Sequence, residues 1–315
     1  MPSRLTSGVL SKPLSSFQRL ALLTTAATYF LILVGGLVRA SGAGLGCPDW
    51  PRCFGSWIPP ASAAQLPPRF DPALFNPTLM WTEYVNRLLG VTVGFLILAT
   101  VVSAWRHHRR DPKILWTSVV ALLLTGFEGW LGGRVVAHEL AAWIVTVHLM
   151  VALVIVQLLL YATVHATRLS AARGSSRLTL PLVVLMAVTV VQIVLGTQVR
   201  GRVDAALDAG VVRNAALATV GRLDFLHRSS ALVVFAGSLL LVMWISTTFS
   251  GEERVTRWSY AVAGFATAQV ALGVVMAYVS LQPAAQVAHL TIASLLLGAQ
   301  TVLLLLAPEV TEPGR

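Results

Sequence analysis

The sequence predicts an all-α integral membrane protein: eight transmembrane helices, arranged as two tandem, parallel-repeat four-helix bundles with both termini cytoplasmic. Three observations predict it. Of the 315 residues only 11% are charged and 56% are hydrophobic, where a soluble domain carries about 25% charged residues. Lipid must therefore cover most of the surface. Eight stretches are each long and apolar enough to cross the hydrocarbon core, which takes about 20 helical residues. The second half of the chain also repeats the first.

The spans are expected, in order, at 17–38, 81–105, 114–136, 143–165, 178–199, 225–248, 258–281 and 285–307. The first is apolar over a full bilayer width and no small-residue cleavage pattern precedes it, so it reads as an anchor rather than a removed leader. Orientation comes from Lys and Arg in the short loops. The turn between spans two and three holds Arg106, Arg109, Arg110 and Lys113, which places it in the cytoplasm. Arg4 and Lys12 before the first span, Arg168 and Arg173 between the halves, and Arg315 fall on the same side. The expected organisation is a cytoplasmic segment 1–16, an N-terminal bundle 17–167 with an external loop 40–80, a cytoplasmic linker 168–177, a C-terminal bundle 178–307 and a tail 308–315. The net charge of +10 is then a mark of topology. It does not signal a nucleic-acid partner, because there is no basic soluble domain to carry one.

The repeat is read directly. Shifted by 141 residues (83 to 224), Glu83-Tyr-Val-Asn-Arg87 lands on Asp224-Phe-Leu-His-Arg228. Without a gap, Glu128 then falls on Gln269, Leu131-Gly132 on Leu272-Gly273, and His148-Leu149 on His289-Leu290. Spans two to four thus match spans six to eight. The first matches the fifth at a shift of 161 (39 to 200), Gly35-Gly-Leu-Val-Arg39 against Gly196-Thr-Gln-Val-Arg200. The difference between the shifts is an insertion in the first external loop. An even number of spans per repeat gives both halves the same orientation.

Ionisable groups within a membrane are costly and mark functional sites. His227 and His289 each stand near the outer start of a span, and the first half has Asn86 and His148 in the same places. Two imidazoles facing each other across a four-helix bundle suit ligation of a haem iron. For either histidine alone, a hydrogen bond at a wet helix end is the alternative. Glu83 and Asp224 lie three residues before the matched positions, and Arg87 and Arg228 one after. Either arginine suits a haem propionate or an anchor at the lipid headgroups. Glu128, neutral Gln269 in the other half, is a hydrogen-bonded core group or a proton carrier. Cys47 and Cys53 lie in the external loop, an oxidising place, and are expected to form a disulfide. It either staples the loop or takes part in redox chemistry.

Together these residues resemble one family. Arg39-Ala-Ser-Gly-Ala-Gly-Leu-Gly-Cys-Pro-Asp-Trp-Pro-Arg-Cys53, the two acid-x-x-x-Arg motifs at 83–87 and 224–228, Leu131-Gly-Gly133, His148-Leu and His289-Leu are similar to the haem A synthases. The resemblance extends over all eight spans. It implies an oxidoreductase that converts haem O to haem A for terminal oxidases, oxidising a porphyrin methyl group to a formyl group by successive hydroxylations. It implies a haem b whose iron is held by His227 and His289, with Arg228 beside it. It also implies a substrate haem O in the N-terminal half, with His148 as iron ligand, Asn86 and Arg87 lining the site, and Glu83 as the catalytic candidate. The cysteines would assist activity or haem handling. The setting it implies is a prokaryotic plasma membrane, with the enzyme that supplies haem O and the terminal oxidase subunits as partners.

One position departs from the family pattern, which calls for histidine where this chain has Asn86. An amide is a poor iron ligand, so the N-terminal half offers His148 alone and an open coordination position; His138 is a weaker substitute. A membrane cytochrome b carrying electrons and a non-catalytic haem-binding oxidase-assembly factor are the alternative functions.

Overall fold

The computed structural model describes residues 14–167, 177–249 and 252–307. The expectations placed on Arg4, Lys12, Arg168, Arg173 and Arg315, and with them both termini and most of the linker, lie outside the described residues. Among the described residues there are nine α-helices and no strand. Eight are long and apolar enough to cross a membrane: α1 (Ser16–Ala40), α2 (Pro77–His108), α3 (Pro112–Ala137), α4 (Ala142–Ala166), α5 (Thr179–Asp208), α7 (Arg222–Thr248), α8 (Glu253–Tyr278) and α9 (Pro283–Leu306). The short α6 (Arg213–Ala216) lies in the connection from α5 to α7.

Local chemistry fixes the helix starts. α1 opens on a capping box, with Ser15 Oγ accepting from the Gln18 amide at 3.2 Å and Gln18 Oε1 accepting from the Ser15 amide at 2.7 Å. α2, α3 and α9 each begin on a proline, whose missing N–H costs nothing in a first turn. Asn76 and Asp111 cap α2 and α3 through their side chains. Apolar run and helix do not always coincide. α5 continues past the expected end at 199 to Asp208, for 30 residues, about 45 Å at 1.5 Å per residue. Its last turns carry Arg200, Arg202, Asp204 and Asp208. These extend beyond an apolar core about 30 Å thick, so hydropathy marks the membrane-buried part and not the end of the helix.

The helices pack in two sets. α1 packs on α2 and α4, α2 on α3, and α3 on α4; likewise α5 packs on α7 and α9, α7 on α8, and α8 on α9. The sets meet where α9 lies on α1 and α4, and α4 on α5. Large apolar side chains cover the outside, Leu180, Leu123 and Phe95 being 72%, 68% and 66% exposed, a surface that only lipid satisfies. α9 differs: every residue from 296 to 303 is buried, as expected for a helix enclosed on all sides. Polar side chains join the sets. Thr301 donates to Gln157 at 2.6 Å, Thr146 and Thr197 hydroxyls are 2.8 Å apart, and Gln198 donates to Thr146 at 2.9 Å. Such pairs add directional contacts where lipid weakens the hydrophobic drive between helices.

Candidate functional site

The sequence-predicted residues gather at the end of the molecule where α1 and α5 finish and α2 and α7 begin. There the loop between α1 and α2 folds into a cap. Cys47 and Cys53 are bonded, with Cα atoms 4.8 Å apart, and both are fully buried. Around them pack Phe54, Met80, Phe70, Phe75 and Tyr84, a small apolar core of the cap's own.

Glu83 and Arg87, one turn apart on α2, hold this cap down. Glu83 is 4% exposed. One of its oxygens accepts from the Cys47 amide at 2.8 Å, and the other takes Nε and a terminal nitrogen of Arg87. Arg87 also donates to the carbonyls of Asp49 and Arg52, each at 2.8 Å, and of Cys47 at 3.2 Å. A guanidinium has five N–H donors, and here all five go to the protein. Arg87 thus braces α2 against the cap, with its donors taken within the protein. Sequence spacing shows the Glu83–Arg87 pair but not three carbonyls aimed at it, because those depend on how the loop folds.

In the second half, His227 on α7 and His289 on α9 face each other, ring centres 6.4 Å apart and planes at 69°. Nδ1 of each is buried without a hydrogen-bond partner. Imidazole holds a divalent metal at about 2.0–2.1 Å, and the ring centre lies about 1.1 Å behind the nitrogen, so a shared iron sets the centres roughly 6.3 Å apart. The observed spacing fits. Glycines open the space: a Cβ at Gly196 would stand 3.0 Å from Cε1 of His227, and one at Gly273 3.9 Å from Cε1 of His289. Arg228 pairs with Asp224 at 2.6 Å and donates to the Tyr278 hydroxyl at 3.3 Å.

The first half repeats the glycines and changes the side chains beside them. A Cβ at Gly35 would stand 3.9 Å from Oδ1 of Asn86, and one at Gly132 3.7 Å from Cε1 of His148. Asn86 Oδ1 is buried without a partner. Glu128 Oε1 lies 3.1 Å from Nδ1 of His148, whereas Gln269, its counterpart, donates to the backbone oxygen of His289 at 2.6 Å. His138 does not join this group. It caps the end of α3, with Nδ1 2.9 Å from the Arg134 carbonyl, and its ring meets Trp143 edge-on. Trp50 of the cap rests on the neighbouring Gly133, where a Cβ would fall 2.8 Å from the indole. A cleft of about 330 Å³ runs between the cap and α3, past Asp49, Trp50, Trp130 and Arg134.

This arrangement can be set beside known proteins. The family model described as cytochrome oxidase assembly protein, COX15-CtaA, matches residues 18–301. The chain belongs to this family. A COX15-CtaA relative from Cereibacter sphaeroides, named heme A synthase, is 30% identical over 301 residues, covering 78% of this chain and 75% of its own length. Relatives of the same name from Shewanella oneidensis and Geobacillus kaustophilus are 33% and 31% identical over 183 and 121 residues. Those matches cover 55% and 38% of this chain, and 54% and 33% of the relatives' lengths. The chain thus spans between about a third and a half of these two proteins. Two residues here are not flagged by the sequence motifs: Trp50 as a contact of Gly133, and Asp204, which pairs with Arg39 and Arg200. The second glycine of Leu131-Gly-Gly133 was the available signal for Trp50, since the repeat has Val274 in its place.

Proposed function

We propose that this chain is a haem A synthase, which oxidises a porphyrin methyl group of haem O to the formyl group of haem A by successive hydroxylations. The observation that carries the proposal is the pair of imidazoles 6.4 Å apart, each set against a glycine that recurs in the other half. In this reading His227 and His289 hold a haem b, whose role when bound is to carry electrons. His148 holds the iron of the substrate haem O, facing Asn86. The two halves descend from one four-helix bundle, oriented in parallel, and the differences between them divide the labour. Two histidines would hold the group in the second half, and His148 opposite an amide would hold the substrate haem in the first, where the oxidation would take place.

The protein's own groups do the rest. Glu128 orients the His148 ring and strengthens it as a donor, as carboxylates behind metal-bound histidines do. Arg87 and Glu83 fix the cap over the outer end. Glu83 stands as the catalytic candidate, and its bonds to Cys47 and Arg87 couple that role to the order of the cap. Trp50 on Gly133 narrows access for water from the cleft. The cap faces the outside and the 106–113 turn the cytoplasm of a prokaryotic plasma membrane, with both termini on the cytoplasmic side. The haem O supplier and the terminal oxidase are the partners.

Pigment extraction tests the proposal. Co-expression with a source of haem O yields haem A in the extract; recovery of haem O alone, with the protein folded and haem-loaded, refutes it and favours an electron carrier or an assembly factor.

A further inference from the structure

Arg39, in the last turn of α1, and Arg200, on α5, share one carboxylate. Arg39 reaches Oδ2 of Asp204 at 2.7 Å and Arg200 reaches Oδ1 at 2.6 Å. Two guanidinium groups against one carboxylate leave a net positive charge. Nε and Nη1 of both arginines are buried and without a hydrogen-bond partner. Arginine carries donors only, and buried donors left unpaired are costly. The cluster therefore has a set of donors that only a further acceptor, and by charge an anionic one, satisfies.

Its position says which anion. Arg39 stands four residues after Gly35, which faces Asn86, and Arg200 four after Gly196, which faces His227. Residues four apart share a helix face, so each arginine lies beside a candidate haem site, about 6 Å further along its helix. The repeat thus brings one arginine from each half to a common place. Of the two arginines of the acid-x-x-x-Arg motifs, Arg87 is committed to the cap, and Arg228 pairs with Asp224 and Tyr278.

We infer that Arg39, Arg200 and Asp204 form a carboxylate-binding site that takes a propionate of the bound tetrapyrrole. This rests on the haem reading above and adds to it the group that fixes the orientation of the macrocycle. Asp204 serves as an internal stand-in that keeps the two guanidinium groups together. A phospholipid phosphate has similar chemistry, but these side chains are only 20% and 23% exposed and lie between α1 and α5 rather than on the lipid-facing surface.

Esterification separates the possibilities. Full-length protein, purified in detergent from haem-depleted cells, is titrated optically with ferric haem and with haem dimethyl ester, in which both propionates are blocked. The wild type is expected to bind the free acid roughly tenfold or more tightly than the ester. In R39Q/R200Q that preference disappears while binding of the ester is unchanged. Asp204→Asn removes the competing charge and raises affinity for the free acid alone, a gain that misfolding does not produce. Equal binding of acid and ester by the wild type overturns the inference and leaves the haem reading intact. Binding of neither refutes the haem reading itself. Thermal stabilisation by phosphatidylglycerol that depends on these arginines, without discrimination against the ester, assigns the cluster to lipid and also overturns the inference.

Discussion

Arg87→Ala is expected to release the disulfide cap while leaving the membrane helices in place. Arg87 is the cation paired with Glu83, and that carboxylate is 4% exposed. Removing one partner of a buried ion pair costs about 3–5 kcal/mol, because a charge is left uncompensated. The carbonyls of Cys47, Asp49 and Arg52 lose their donor as well; water can replace it at the exposed Arg52 carbonyl, and the loss at the other two adds to the cost. The ion-pair figure is therefore a lower measure. If the loss falls on local opening of the cap, the open population rises by roughly 10²–10³-fold, at a factor of ten per 1.4 kcal/mol. The assay is the rate of alkylation of Cys47 and Cys53 under a mild reductant, both being fully buried in the closed cap, with circular dichroism to follow the helices. Rates within about threefold of wild type would show that the brace does not hold the cap. The double variant E83Q/R87A is expected to recover part of the loss, since no unpaired carboxylate remains; strict additivity refutes the pairing.

Further outcomes follow from the same geometry. Gly196→Ala brings a Cβ to 3.0 Å from the His227 ring, so the low-spin haem spectrum shifts and about 1–3 kcal/mol is lost to overpacking. Gly273→Ala, at 3.9 Å from His289, leaves the spectrum unchanged, and equal effects of the two substitutions refute the assignment. His227→Ala and His289→Ala each abolish the tightly held low-spin signal; its survival in both variants removes them as ligands. Asn86→His supplies a second imidazole to the first half and moves its haem toward a six-coordinate spectrum; an unaltered spectrum places residue 86 away from the iron. Glu128→Gln takes the carboxylate from behind His148 and lowers haem affinity of the first half by about 10- to 100-fold, read by optical titration; full affinity shows that Glu128 does not support that ligand.

Much of this was legible in one sequence because membrane proteins write their plan plainly. Eight apolar runs give the spans, and the repeat within the sequence shows which polar positions recur. The pairing of His227 with His289 follows from the match to Asn86 and His148, since a repeat of helices repeats the faces they present. What stayed hidden depended on elements remote in the sequence. Glu128 and His148 meet across the turn from α3 to α4, at a spacing that no helix periodicity flags. Asp204 lies beyond the apolar part of α5, where hydropathy no longer indicates a helix. Arg87 looked available for a ligand because a side chain's partners among loop carbonyls cannot be read from its own motif.

The enclosure of α9 bears on how the molecule is made. This helix follows all the other membrane spans in the chain, yet it supplies His289 and packs on α1, α4, α5 and α8. During synthesis the earlier helices enter the bilayer with that seam still vacant, and the contact between halves closes only when α9 arrives. Neither the second histidine of the pair nor the wall shared by both halves exists before then. Under the haem reading proposed above, loading of the pair is consequently a late event, after translation of the last span, and a ribosome stalled before Pro283 leaves a chain without its second histidine.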